Sequence, residues 1–229
     1  MPVISIVVPV LDEAAGIVAS LSALQPLRAA GAEVIVVDGD SRDETAARAT
    51  PLADRVIVVP RGRASQMNAG AALARGEALL FLHADTRLPD GALARVAAAL
   101  RGGEWGFFAV RIEGRSMWLP LVAALMNRRS RLTGIATGDQ AMFVTRAAFA
   151  EAGGFADMPL MEDIALSKRL RRHSRPACLE AKVATSGRRW ERNGVWRTIL
   201  AMWWLRLRYF LGADPNQLAR EYGYVPRQS

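Results

Sequence analysis

The chain has 229 residues, half of them hydrophobic, with an ordinary charged fraction and a net charge of +8 carried almost wholly by arginine. That is enough chain for one substantial core and argues against disorder. A lone cysteine, Cys178, excludes an internal disulfide and suits a reducing compartment. The cationic excess favours phosphate-bearing partners without choosing among nucleotides, anionic lipid and nucleic acid.

The opening MPVISIVVPVLDE lacks a basic n-region and meets proline and acids early, so a secretory signal is not expected. No apolar stretch reaches the roughly 18 residues needed to span a bilayer. Four aliphatic runs follow one another: Ile4 to Val10, Glu33 to Asp38, Arg55 to Pro60 and Ala78 to Asp85. Each is nearly continuous in Val, Ile or Leu, which predicts strands buried on both faces. Helices are predicted between them near Ala14 to Leu24, Asp43 to Ala49 and Ala64 to Arg75. Strand and helix in alternation imply parallel pairing through right-handed crossovers, hence an α/β fold.

Beyond Pro89 the order loosens. A helix over Asp90 to Arg101 precedes the more alternating strand GFFAVRIEG, and Asp139 to Arg146 reads as a further strand. EDIALSKRLRRH then reads as a helix with acids at its start and bases at its end. No linker, repeat or low-complexity block interrupts the chain. We expect one domain over 1–190 and an amphipathic helix with its tail over 191–229, packed on the same domain.

In an open parallel sheet, ligands bind outside the carboxyl ends of the strands. The first strand runs into Asp12 and Glu13, the second into Asp38, Asp40 and Ser41, and the fourth into His83 and Asp85. Acids converging on one rim repel unless a cation or a donor-rich ligand is present. Capping of helices by Asp12, Asp40 and Asp43 is the plainer alternative. No glycine-rich dinucleotide turn or GKS/GKT phosphate loop occurs. Two histidines and one cysteine are too few for a zinc cluster or a Cys–His pair. What survives is an oxygen-rich site for a hard cation such as Mg²⁺ or Mn²⁺.

Several spaced motifs, covering roughly residues 3–190, resemble glycosyltransferase family 2 of the GT-A fold. VVPVLDE resembles the opening strand and its turn, with Leu11 where an aromatic residue is frequent. VVDGDSRDET resembles the nucleotide-binding stretch, GRASQMNAGAALARGEALLFLHAD the run into the metal motif, and GDQAMFVTR through MEDIALSKRL the acceptor-side segment. The resemblance implies a mostly parallel sheet flanked by helices and an inverting transfer from a nucleotide-diphosphate sugar, with a UDP-sugar favoured. It places Pro9, Glu13, Asp38, Asp40, Arg63, Arg189 and Trp190 at the donor, with Asp38 on the base and Arg63 on the diphosphate. Asp163 becomes the base and Glu162 its assistant. The metal motif is ordinarily Asp-x-Asp; here it is His83-Ala84-Asp85, so metal contact carries over to Asp85 and less securely to His83. Imidazole ligates Mn²⁺ better than Mg²⁺. SGRRW resembles the end of a motif of processive relatives, but Ser186 replaces its glutamine and polymer formation is not implied. A non-catalytic scaffold retaining the fold is the alternative; nucleic-acid binding lacks any recognition module.

Over Val195 to Gly212, residues Trp196, Ile199, Leu200, Trp203, Leu207, Phe210 and Leu211 fall on one side of a helix, edged by Arg197, Arg206 and Arg208. Packing against the core or a second copy is the favoured reading. Peripheral membrane contact is the other, and it would place a cytoplasmic protein at the inner face of the membrane with a lipid-linked acceptor within reach.

Overall fold

The computed structural model describes residues 3–223. Its elements run β1 (Ile4–Val10), α1 (Ile17–Ser22), α2 (Gln25–Ala29), β2 (Glu33–Asp38), α3 (Thr45–Ala49), β3 (Arg55–Val58), α4 (Arg63–Leu73), β4 (Ala78–Phe81), β5 (Thr86–Arg87) and α5 (Ala92–Leu100). There follow β6 (Trp105–Glu113), α6 (Leu119–Thr133), β7 (Phe143–Thr145), α7 (Arg146–Glu151), α8 (Glu162–Leu170), β8 (Ala177–Ser186), α9 (Arg188–Asn193), α10 (Val195–Phe210) and α11 (Pro215–Glu221).

The sheet order is β3-β2-β1-β4-β7-β6-β8-β5. β3, β2, β1 and β4 pair in parallel, as do β6 and β8; β7 runs antiparallel to both of its neighbours, and β5 antiparallel to β8. This is the expected α/β architecture, with helices on both faces. β1, β2 and β4 are almost wholly buried, which explains why their sequences do not alternate. One core lies on the α1, α3 and α5 side of the sheet and a second lies under α4, α7 and α8. α4 approaches closely because Gly70 faces β1 and β2: a Cβ there would sit 2.4 Å from Val7.

Three expectations need correction. Arg55 to Pro60 is not a doubly buried strand; β3 is an edge strand with Val58 60% exposed, since nothing pairs beyond it. Asp139 to Arg146 is not one strand. A 3-10 turn over Gly138–Gln140 comes first, closed by a Thr137–Gln140 capping box, and β7 begins only at Phe143. The predicted helix over Ala14 to Leu24 is shorter, α1 over Ile17–Ser22, and a separate short helix not foreseen in the sequence, α2, follows it with Pro26 in its first turn.

Nor does the α10 stripe pack against the core of its own chain. Val195, Thr198 and Leu205 are its buried residues, whereas Trp196, Leu200, Trp203, Leu207, Phe210 and Leu211 are exposed. Only Ile199 of the expected stripe packs on the larger core. Leu205 joins Ile135, Met161, Ile164 and Leu218 in a separate small cluster, so the helix is held down by its narrower side.

Candidate active site

The carboxyl ends of β1, β2 and β4 open on one rim, and cross-strand side chains hold it. Gln66 of α4 donates to the carbonyls of Val10 and Val37, 2.8 Å each, bridging the ends of β1 and β2. Asp12, at φ +51°, accepts from the Arg42 amide (2.9 Å) while its own amide donates to the Ser41 hydroxyl. Asp43 accepts from the amides of Ala14 and Thr45. Asp12 and Asp43 therefore brace two loops against each other, and neither is a helix N-cap: α1 and α3 start from Gly16 and Glu44, with no side-chain cap bond. Asp38 is buried and accepts from the Ser41 amide at 2.7 Å. Asp40 is exposed at φ +65°, and Pro9 is half-buried within β1.

Glu13 lies 3.6 Å from the guanidinium of Arg188. Burial raises its carboxyl above the ordinary glutamate range; Arg188 opposes this, while the nearby charges of Asp85 and Asp43 add to it. Glu13 and Asp85 thus form a mutually repelling pair of acids at the rim, and Asp85 is exposed. No group of three or more His, Cys, Asp or Glu residues able to hold a metal gathers among the described residues. A Mg²⁺-type ion uses one or two carboxylates and takes its remaining ligands from phosphates and water. Asp85, with Glu13 beside it, fits that donor set.

His83 is turned elsewhere. A Cβ on Gly138 would lie 2.6 Å from both Cε1 and Nε2 of its ring. Burial, reinforced by the charge of Arg63, pushes its pKa down to about 3, so the imidazole is neutral. Gly138 in turn donates its amide to Asp163 Oδ2 at 2.8 Å. His83, Gly138, Glu162 and Asp163 line one small hollow together with Met67, Phe81, Met142 and Phe155.

Asp163 occupies the first turn of α8. Its Oδ1 accepts its neighbour's amide, Ile164, at 2.7 Å, and the helix enters through Met161 at φ +69°. A carboxylate in a first helical turn is stabilised by the free amides there. Glu162 beside it is buried, with Arg63 Nη1 at 3.9 Å. Burial, and then the Asp163 charge, raise the Glu162 carboxyl well above its ordinary range, against the pull of Arg63. Arg63 is therefore shared between the diphosphate role expected of it and an acid of the base pair.

On the far side of Asp163 lies a group that the sequence does not announce. Arg129 Nε, Arg206 Nε and Asp139 Oδ1 are buried without a hydrogen-bond partner among the described residues. Burial, with Arg206 close by, lowers Arg129 to about 10; Asp139 and Asp163 act in the opposite sense. Burial raises Asp139. Gln140 anchors the turn beneath, accepting from Ser130, Thr137 and the Thr137 amide. Gln66, Gln140, Arg129, Asp139, Arg188 and Arg206 were all missed by motif reading. A buried glutamine inside an apolar helix face, as at Gln66, was the one available signal.

Arg189 stacks over the Tyr222 ring, 3.6 Å from its centroid, and feels Arg63 as a like charge. Trp190 is half-buried against the larger core. Asn68, within the NAG motif, is a brace: it exchanges two hydrogen bonds with the backbone of Phe155 and so fixes the GGF segment to α4.

The strand order, with a half of parallel strands whose carboxyl ends carry acids, is that of the GT-A fold. The family model described as "Glycosyl transferase family 2" matches residues 5–149. The chain belongs to glycosyltransferase family 2. Curated relatives include a "PGL/p-HBAD biosynthesis glycosyltransferase" from Mycobacterium bovis (strain BCG / Pasteur 1173P2), 39% identical over 105 residues, covering 42% of this chain and 41% of the relative. The chain therefore matches less than half the length of that relative. Among solved structures, S. aureus TarS 1-349 in complex with UDP-GlcNAc superposes with a TM-score of 0.63 at 17% identity, over 80% of this chain and 58% of that one. Glucosyl-3-phosphoglycerate synthase from Mycobacterium tuberculosis, in complex with Mn²⁺, UDP and phosphoglyceric acid, gives 0.61 at 24% identity, over 80% and 69%. At these identities the two structures establish the shared fold.

Proposed function

We propose that this chain transfers a sugar from a nucleotide-diphosphate donor, a UDP-sugar in preference to others, to an acceptor hydroxyl with inversion at the anomeric carbon. The observation that carries the reading is Asp163, held at the N-terminus of α8 by the Gly138 amide and sharing a hollow with His83, just past the end of β4. In this reading the acceptor oxygen bonds to the anomeric carbon as the bond to the diphosphate oxygen breaks. Asp163 accepts the hydroxyl proton, and the nucleoside diphosphate departs with the bonding pair. Glu162 orients the site through Arg63. Arg63, with Arg189 behind it, supports the charge on the leaving group. Asp38 and Asp40 hold the nucleoside, Pro9 and Glu13 shape its floor, and Trp190 backs Arg189.

A divalent ion, Mn²⁺ or Mg²⁺, bound when the donor arrives, would offset the diphosphate charge. Asp85 would hold it, with neutral His83 the second candidate ligand of the same motif. UDP is favoured partly because both solved relatives are described with uridine nucleotides. The acceptor is read as lipid-linked, supported by the exposed apolar side of α10.

Calorimetric titration of UDP and of GDP, each with and without Mn²⁺, into wild type and Asp85→Ala tests the donor half. Metal-dependent binding that disappears in the variant is expected. Slow donor hydrolysis, lost in Asp163→Asn while binding persists, tests the base. If neither nucleotide binds under any metal condition, the chain is a scaffold that has kept the fold.

A further inference from the structure

The two longest helices place their apolar sides outward next to one another. On α10, Trp196, Leu200, Trp203, Trp204, Leu207 and Leu211 are between 51% and 77% exposed. Spacings of three and four residues keep them on one side of the helix. Just before and along α6, Met117 is 82% exposed, Trp118 42%, Leu121 48% and Leu125 51%. The two strips join where the rings of Trp118 and Trp196 meet edge-on, with centroids 5.2 Å apart. Scattered exposed leucines are ordinary, but a continuous strip from two helices is a contact surface.

The charge beside the strip narrows what covers it. Neither α6 nor α10 contains an acid. Arg129 and Arg206 are turned inward, Arg131 and Arg208 pair with Glu180 and Glu221, and Arg128 and Arg197 remain exposed beside the strip. A recess of about 450 Å³ flanks α10, lined by Arg189, Arg192, Arg197, Trp204 and Tyr222 and by Glu221, whose carboxylate is paired with Arg208. Arg192 and Arg197 are exposed, and neither makes an ion pair with a described residue. A second copy laid face to face would bring arginine toward arginine along helices with no acid to answer it. An anionic bilayer surface supplies both missing halves: hydrocarbon for the tryptophans and leucines, phosphate for the arginines. No helix of the described residues is long and apolar enough to cross a membrane, so the contact lies in the interface.

We propose that the joined outward faces of α6 and α10 form a docking surface for an anionic phospholipid membrane, with lipid phosphate entering the Arg192–Arg197 recess. The lipid-linked acceptor of the sugar-transfer reading leans on this same face, but membrane binding and nucleotide binding are measured separately, so either can fail without the other.

The test is co-sedimentation of the full chain with vesicles of phosphatidylcholine alone or with about one third phosphatidylglycerol. Binding to the mixed vesicles is expected, at least about tenfold tighter than to the neutral ones and weakening with salt. A blue shift of tryptophan emission should accompany it. Leu200→Ser with Leu207→Ser should weaken binding about tenfold or more, and so should Met117→Ser with Leu121→Ser. Arg192→Ala with Arg197→Ala should erase the preference for anionic vesicles. Val58→Ser, an exposed apolar residue at the opposite edge of the sheet, serves as control and should change nothing. The serine variants alter exposed side chains, and an unchanged thermal midpoint verifies that they fold. Binding that ignores these substitutions would overturn the proposal. So would absence of vesicle binding, whether the chain is then monomeric or forms a dimer broken by Leu200→Ser with Leu207→Ser.

Discussion

Asp163 receives one hydrogen bond from Gly138 and one from the Ile164 amide, so its side chain is fixed before any substrate arrives. Asp163→Asn keeps the shape and removes the proton acceptor. Turnover should fall by about 10² to 10⁴ while nucleotide affinity stays within about twofold. A fall in affinity of the same size would give Asp163 a binding role instead. Its neighbour has a different signature. Burial raises the Glu162 carboxyl from the ordinary 4.5 to about 7, and burial raises Asp139 as well. Between the unfolded and folded values the folded chain binds more protons than the unfolded chain, so stability falls as pH rises through that range. Thermal midpoints should decline between about pH 4.5 and about pH 7, less steeply in Glu162→Gln. An identical slope in the variant would remove Glu162 as the cause. Gln66 makes no such pH signal. Gln66→Leu removes its donor from the Val37 carbonyl and leaves that of Val10 with only the Gly39 amide, and about 1–3 kcal/mol should be lost in urea melts.

At the level of elements, the contact between α4 and the sheet rests on one missing methyl group. A Cβ on Gly70 would meet Val7 at 2.4 Å and Val37 at 2.9 Å. Both partners belong to central strands that cannot yield without disturbing β1 or β2. Gly70→Ala should therefore cost about 1–3 kcal/mol by overpacking and lower donor affinity as the strand ends shift; unchanged stability would show that α4 can slide. β1, β2 and β4 were legible because strands buried on both faces must be aliphatic throughout. β3 carries the same composition yet lies at the edge, since a run of valines records propensity and not what pairs with it. The stripe on α10 was legible as a stripe. Its direction was not, because three modest residues, Val195, Thr198 and Leu205, hold the helix down while the large ones point out. Of the site, the acids at strand ends could be read from motif spacing. The Arg129–Asp139–Arg206 group could not, since those residues are brought together only by packing.

For the molecule as a whole, the rim brings acids close to arginines. The charge of Asp85 raises the Glu13 carboxyl against the pull of Arg188, and the charge of Arg63 lowers Arg189. A divalent ion held by Asp85 would offset the first repulsion, and phosphates near Arg63 and Arg189 would offset the second. The two should therefore bind with positive coupling: UDP with Mn²⁺ raises the thermal midpoint by more than the sum of their separate effects. At about 100 times the dissociation constant, the pair should add about 2.7 kcal/mol to folding stability. Chelation should return the midpoint to that of the chain with UDP alone. In Asp85→Ala the first repulsion is gone, so its empty form should be at least as stable as wild type while the coupling vanishes. A variant that lost stability when empty yet retained the coupling would place the ion elsewhere on the rim.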